Sequence, residues 1–266
     1  MVLQSKNLSL KDRLPFKGVL LDIYGVLEYK GEPCAGAMDF INHLLASNIP
    51  FRLLSNSTLQ SRQSMAEKLQ KLGFTGVMPE HVVTASSASA AYLRSVNARS
   101  IRVIIDGRGT DEFKEFAVDE DNPEFLVLGD ARDGFTFANI NRMYNQLLGG
   151  AKLLVMIPNS TSIEKTGPEI TVGGYGKMLE LATGHAGVWI GKPSRMMFDI
   201  ALSDLNLNNR EVLMVGDNID IDVDGARNAG IAGALVLTGE YSEKELPLNN
   251  NADYTITNLM QLTQLL

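Results

Sequence analysis

A chain of 266 residues, 45% hydrophobic and 21% charged, has the composition of a globular protein with a sizeable core, built as one large domain or two modest ones. A net charge of −7 without any cluster of Lys and Arg excludes a basic surface that would track a nucleic-acid backbone. No apolar run approaches the ~18 residues of a membrane span, MVLQSKNLSLKDRLPF lacks a signal peptide's apolar stretch, and the single Cys34 cannot form an internal disulfide, so a cytoplasmic protein with no membrane or nucleic-acid partner is expected.

The first predicted strand, KGVLLD, runs into Asp22, with Tyr24 and Gly25 just beyond it. Apolar residues at helical spacing follow from Gly36 to Ser47, and then a second strand, IPFRLLSN, ends at Ser55-Asn56. Ser57-Thr58-Leu59-Gln60 has the form of a capping box, which predicts a helix through MAEKLQKL that stops at Gly73. Three further strands are predicted at SIRVIID, EFLVLGD and AKLLVMIP, and a fourth at AGVWIGKP, closed by Lys192. Pro193-Ser194 opens a helix through MMFDIALSDL, EVLMVGD is a strand ending at Asp217, Asp222 to Ala229 reads as a helix ending at Gly230, and AGALVLTG is the last strand. Continuous apolar runs alternating with helices predict an α/β fold, a parallel sheet covered on both faces.

In such a sheet, ligands bind at the carboxyl ends of the strands. Four of these ends carry chemistry: Asp22, Ser55-Asn56, Lys192 and Asp217. Taken singly, a strand-end Asp is usually a turn former, Ser-Asn a loop or cap, and Gly-Lys-Pro a turn with a solvated lysine. Together, carboxylates, a hydroxyl and a lysine suit a phosphoryl group held with Mg²⁺, a hard cation that takes one or two carboxylates plus substrate phosphate. A carboxylate can also attack the phosphorus itself.

The ordered set Asp22-Ile23-Tyr24-Gly25-Val26, Ser55-Asn56, Gly191-Lys192-Pro193 and Gly216-Asp217-Asn218 with Asp222 resembles the four motifs of the haloacid dehalogenase (HAD) superfamily. The long stretch between Asn56 and Lys192, with three strand-like runs of its own, resembles the inserted α/β cap of the type IIA subfamily. The segments FRLLSNSTLQSR, DNPEFLVLGD, TVGGYGKMLELATG and VWIGKPSRMMF extend the likeness to one group of phosphatases within that subfamily. The resemblance implies a Rossmann-like core from residues 1–83 and 185–266, a cap from residues 84–184, and a homodimer by the pairing habit of capped relatives. It makes Asp22 the nucleophile and a metal ligand, the Tyr24 carbonyl and Asp217 further ligands, and Asp222 a support for metal-bound water or another ligand. Ser55 and the Asn56 amide would hold phosphoryl oxygens, Lys192 would neutralise charge, and the cap loop around Gly173 and Gly174 would help choose a small phosphorylated substrate.

Tyr24 departs from the phosphatase pattern, which carries there a second aspartate as general acid and base. A phenol with a pKa of about 10 is poorly suited to that work. Three functions follow from the resemblance. The first is a Mg²⁺-dependent phosphatase acting through an aspartyl-phosphate, slow on alkyl phosphates. The second is a phosphate-binding protein of the same fold with weak or no turnover. The third is a 2-haloacid dehalogenase, a branch that uses Asp-x-Tyr but places a helical cap between the first two motifs, where this chain has no room for one.

Other patterns fail. Asp220, Asp222 and Asp224 imitate the start of a calcium loop, but its twelfth position is Ile231 where a bidentate Glu is required. No phosphate-binding P-loop or dinucleotide glycine fingerprint is present. His43, His81 and His185 share no ligand spacing, Cys34 has no histidine partner, and Met196-Met197 reads as helix packing.

Overall fold

The structure is a computed structural model that describes residues 16–164, 167–239, 241, 250–263 and 266. In chain order its strands are β1 (Gly18–Asp22), β2 (Glu28–Tyr29), β3 (Glu32–Pro33), β4 (Phe51–Ser55), β5 (Val82–Thr84), β6 (Ile101–Ile104) and β7 (Phe125–Leu128). They continue with β8 (Lys152–Val155), β9 (Thr161–Glu164), β10 (Gly167–Ile170), β11 (Val188–Trp189), β12 (Val212–Gly216), β13 (Ala232–Val236) and β14 (Tyr254–Ile256). The α-helices are α1 (Ala37–Ala46), α2 (Arg62–Lys71), α3 (Ala85–Ser95), α4 (Phe137–Leu148), α5 (Val172–Thr183), α6 (Arg195–Leu205) and α7 (Asp224–Asn228).

Two compact units emerge from the contacts. The first takes the described residues of Met1–Ser55, Met65–Val83 and Phe198–Leu266, and the second Asn56–Ser64 and Thr84–Met197. The first unit is built on a six-stranded sheet in the order β14-β13-β12-β1-β4-β5. Strand β1 lies in its middle, parallel to β12 on one side and to β4 on the other. This explains why GVLLD is apolar without alternation: Val19, Leu20 and Leu21 are fully buried, with a covered layer on each face of the sheet. Helix α1 supplies Phe40, Ile41 and Leu44 to one of those layers, an i, i+1, i+4 stripe that packs with Leu21, Leu53 and Val215.

The second unit has its own parallel sheet, ordered β11-β8-β7-β6. The predicted strand AGVWIGKP belongs here. It shrinks to the two residues of β11 and pairs with β8, so Lys192 follows an edge strand of the second sheet and not a strand of the first. For the same reason residues 185–197 group with the second unit, whereas the resemblance assigned them to the core.

The predicted capping box at Ser57-Thr58-Leu59-Gln60 is corrected too. Thr58 is committed elsewhere: its hydroxyl donates to an Asp130 carboxylate oxygen at 2.8 Å, and its carbonyl accepts from the Ser86 hydroxyl at 2.6 Å. Helix α2 therefore begins at Arg62. Its start is satisfied by Ser61 and Ser64, each backbone N–H donating to the other's hydroxyl, at 2.9 and 3.2 Å. The helix expected over 222–229 opens with a π-helical turn, Ile219–Val223, before α7.

Candidate active site

Parallel pairing aligns strand ends, and in the first unit it aligns three that matter. Asp22 closes β1 opposite Leu54 of β4, which puts Ser55 at the neighbouring end, while Leu21 faces Val215 and Gly216 closes β12 just before Asp217. After Asp217 the chain turns back at once. The Asn218 side chain accepts from the Ile221 N–H at 2.9 Å, and the π-helical turn brings Asp222 beneath the strand end. A β-carbon on Gly216 would stand 2.2 Å from that of Asp222, so only glycine allows this approach.

Asp22, Asp217 and Asp222 each offer a carboxylate oxygen, and these oxygens lie within 4.8 Å of one another. Asp222 is fully buried and Asp217 nearly so. Two of the carboxylates are also oriented by backbone donors, Asp22 by its neighbour's N–H (Ile23, 2.7 Å) and Asp222 by that of Asn218 (3.2 Å). Three convergent acids in so small a space repel one another unless a cation joins them. An all-oxygen donor set fits a hard divalent ion such as Mg²⁺ and gives a thiophilic metal nothing to bind.

Gly25 adopts φ +79°, a left-handed conformation that turns the chain sharply after Tyr24. The turn leads into the β2–β3 hairpin, closed by Lys30 and Gly31, both at positive φ. Glu28, buried at the hairpin base, accepts from Lys68 at 2.6 Å and from the Gly31 N–H at 3.1 Å. The hairpin presents Tyr29, whose ring centre lies 5.3 Å from that of Tyr24. Tyr24 is itself 52% exposed, and its phenol is pushed up from its usual pKa, chiefly by burial and then by Tyr29, Glu28 and Asp217. The Glu28–Lys68 pair was invisible to motif reading; the one sequence signal for this hairpin was the Lys30-Gly31 turn.

Asn56 and Lys192 meet in the second unit. The Asn56 side-chain amide donates to the Lys192 carbonyl at 2.8 Å, and the Gly191 N–H donates to the Met156 carbonyl at 2.8 Å. Lys192 is 1% exposed. Gly173 and Gly174 lie in the first turn of α5, within the second unit, whereas the three acids belong to the first. A β-carbon on Gly173 would come within 2.2 Å of the Asn159 carbonyl oxygen, so close packing of the helix start accounts for glycine there. Cys34 is half-buried, and burial pushes its thiol up, the neutral state of a packing residue.

A parallel α/β fold with three acids at the carboxyl edge of its central strands is a scaffold that hydrolases share. A haloacid dehalogenase-like hydrolase family model matches residues 19–119, and a HAD-hydrolase-like model matches residues 189–262. The phospholysine phosphohistidine inorganic pyrophosphate phosphatase of Danio rerio is 34% identical over 232 residues, 85% of this chain and 84% of that protein. Haloacid dehalogenase-like hydrolase domain-containing protein 2 of Mus musculus is 31% identical over 229 residues, 86% of this chain and 87% of its own. The crystal structure of a 4-nitrophenylphosphatase from Thermotoga maritima superposes with a TM-score of 0.85 at 26% identity, covering 94% of this chain and 97% of that one. The chain belongs to the haloacid dehalogenase-like hydrolases, and the enzyme class its relatives define is phosphatase. Among the described residues, no helix is long and apolar enough to cross a membrane.

Proposed function

We propose that this protein is a Mg²⁺-dependent phosphatase acting on a small phosphorylated substrate through an aspartyl-phosphate. The observation that carries the reading is the convergence of Asp22, Asp217 and Asp222 within 4.8 Å. These three carboxylates and the Tyr24 carbonyl would hold the ion. Bound there, Mg²⁺ supplies positive charge to the carboxylates and to the substrate phosphate.

The Asp22 carboxylate attacks phosphorus as the bond to the leaving oxygen or nitrogen breaks. Water then hydrolyses the acyl phosphate, which releases inorganic phosphate and restores the carboxylate. By their motif positions, the Ser55 hydroxyl, the Asn56 amide and the Lys192 ammonium hold the phosphoryl oxygens while this happens. No carboxyl stands at position 24 to protonate the leaving group. The preferred substrates are therefore those whose leaving groups depart with little protonation: aryl phosphates, acyl phosphates, pyrophosphate and phosphoramidates. Two relatives agree in kind, one named for 4-nitrophenyl phosphate and one for phospholysine, phosphohistidine and pyrophosphate.

The test is hydrolysis of 4-nitrophenyl phosphate with and without Mg²⁺, by wild type and Asp22→Asn. Turnover is expected only with the metal, and the variant is expected to lose about 10³-fold or more, as enzymes deprived of a nucleophile do. Mg²⁺-dependent turnover that survives Asp22→Asn would sink the mechanism. The tyrosine at position 24 also favours a second reading, a phosphate-binding protein without turnover. Mg²⁺ and phosphate binding with no hydrolysis across a phosphate panel would select it.

A further inference from the structure

We infer that Thr238 is a positioning residue for the magnesium site, an inference that rests on the metal-dependent reading above. Thr238 lies just past β13, 213 positions from Gly25, yet its hydroxyl donates to the Gly25 carbonyl at 2.6 Å. The next residue presses on the same place. A β-carbon on Gly239 would stand 2.1 Å from an Asp217 carboxylate oxygen and 2.6 Å from the Gly25 α-carbon. The Thr238-Gly239 loop therefore lies against both a carboxylate of the cluster and the backbone that follows Tyr24.

The consequence follows from peptide geometry. The Gly25 N–H belongs to the same planar, trans peptide group as the Tyr24 carbonyl, and it donates to the Glu28 carbonyl at 2.7 Å. Anchoring that N–H fixes the opposite direction of the Tyr24 carbonyl. Thr238 anchors the next peptide group through the Gly25 carbonyl, so both peptides flanking the left-handed Gly25 are held. Without the hydroxyl, the second peptide can rotate, and the glycine between them offers little resistance. The Tyr24 carbonyl is then aimed by the Glu28 bond alone, beside a glycine whose other peptide is free to turn, and the Gly25 carbonyl loses its donor. Groups that orient ligands in this way typically contribute about 10- to 100-fold to metal affinity.

The experiment titrates the full-length chain with Mg²⁺ by calorimetry, for wild type, Thr238→Val, Thr238→Ala and Thr238→Ser, beside each protein's thermal midpoint and its Mg²⁺ requirement for 4-nitrophenyl phosphate hydrolysis. Val keeps the shape and removes the donor, and its Kd for Mg²⁺ is expected to rise about 10-fold or more. Ser keeps the donor and is expected to stay within about two-fold of wild type. Should Val not fold, Ala removes the same donor and takes its place in the comparison. A folded donorless variant that binds Mg²⁺ as wild type does overturns the inference, as does a Ser variant as weak as Val or Ala. Wild type that binds no Mg²⁺ overturns the metal reading together with it, whereas normal wild-type binding beside an unaffected Val variant overturns only the role of Thr238.

Discussion

A β-carbon placed on Gly25 would stand 2.0 Å from an Asp217 carboxylate oxygen, in a residue whose backbone is already left-handed at φ +79°. The glycine thus serves two needs at once, the turn after Tyr24 and the close seat of Asp217 against it. Alanine meets both penalties: about 1–2 kcal/mol for the left-handed conformation, and a clash that pushes the carboxylate off its position. Gly25→Ala is expected to lower Mg²⁺ affinity at least about 10-fold, read by calorimetry on the folded variant. Unchanged affinity would show that Asp217 has room to move without cost.

The buried Asp222 lies among like charges, so its variant should behave oppositely in the two metal states. Without metal, Asp222→Asn removes repulsion within the cluster, and its thermal midpoint is expected to equal or exceed that of wild type. With Mg²⁺ at about 100 times its Kd, wild type gains about 2.7 kcal/mol by linkage, and the variant gains less. Thermal unfolding with EDTA and with Mg²⁺ checks both halves. An equal Mg²⁺-induced rise in the two proteins removes Asp222 from the metal site.

Tyr24→Asp restores a carboxyl where the leaving group needs a proton. Hydrolysis of an alkyl phosphate such as glycerol phosphate is expected to rise by about 10²–10⁴, with a much smaller change for 4-nitrophenyl phosphate, whose leaving group departs as the anion. The ratio of the two rates is the diagnostic. A folded, Mg²⁺-binding variant whose ratio stays at the wild-type value would falsify this account of the tyrosine.

His81 gives the fold a pH dependence of predictable sign. Its ring stacks on Phe51 with centres 4.6 Å apart, and its Nδ1 accepts the Met78 N–H at 3.0 Å, so the neutral ring is the one that fits. Burial lowers its pKa from 6.5, and the nearby Arg52 adds to the lowering against an opposing pull from Glu80. The unfolded chain therefore binds the proton more readily. The stabilisation is complete above pH 6.5 and is lost as pH falls through the lowered folded value. Between about pH 7.5 and 5, wild type should lose more stability in urea than His81→Asn, which keeps an acceptor for Met78 but does not titrate. A ring pKa above 6.5 by NMR would reverse the sign and defeat the prediction.

Much of this molecule was legible locally. The runs GVLLD, FRLLS and VLMVG became adjacent parallel strands because an unbroken apolar stretch of that length can be satisfied only between two covered faces. Their polar ends were legible for the same reason, since a buried strand must stop where its side chains can no longer be buried. Asp22, Ser55 and Asp217 thereby fall at one sheet edge.

Other features depended on partners distant in the chain. Trp189 and Lys192 read as the end of a core strand, but β11 is two residues long and follows whichever strand offers an edge, which proved to be β8. The segment Ser57-Thr58-Leu59-Gln60 read as the start of a helix, whereas the Thr58 hydroxyl is taken by Asp130 across 72 positions, and Thr238, read only as part of the strand AGALVLTG, bonds Gly25 across 213. Periodicity and capping signals are local, so the order of residues was enough to define the strands, their polar ends and the acids they carry. A hydroxyl, a lysine or a short edge strand can bond to many partners equally well, and which of them lay within reach was settled when the folded chain brought distant segments together.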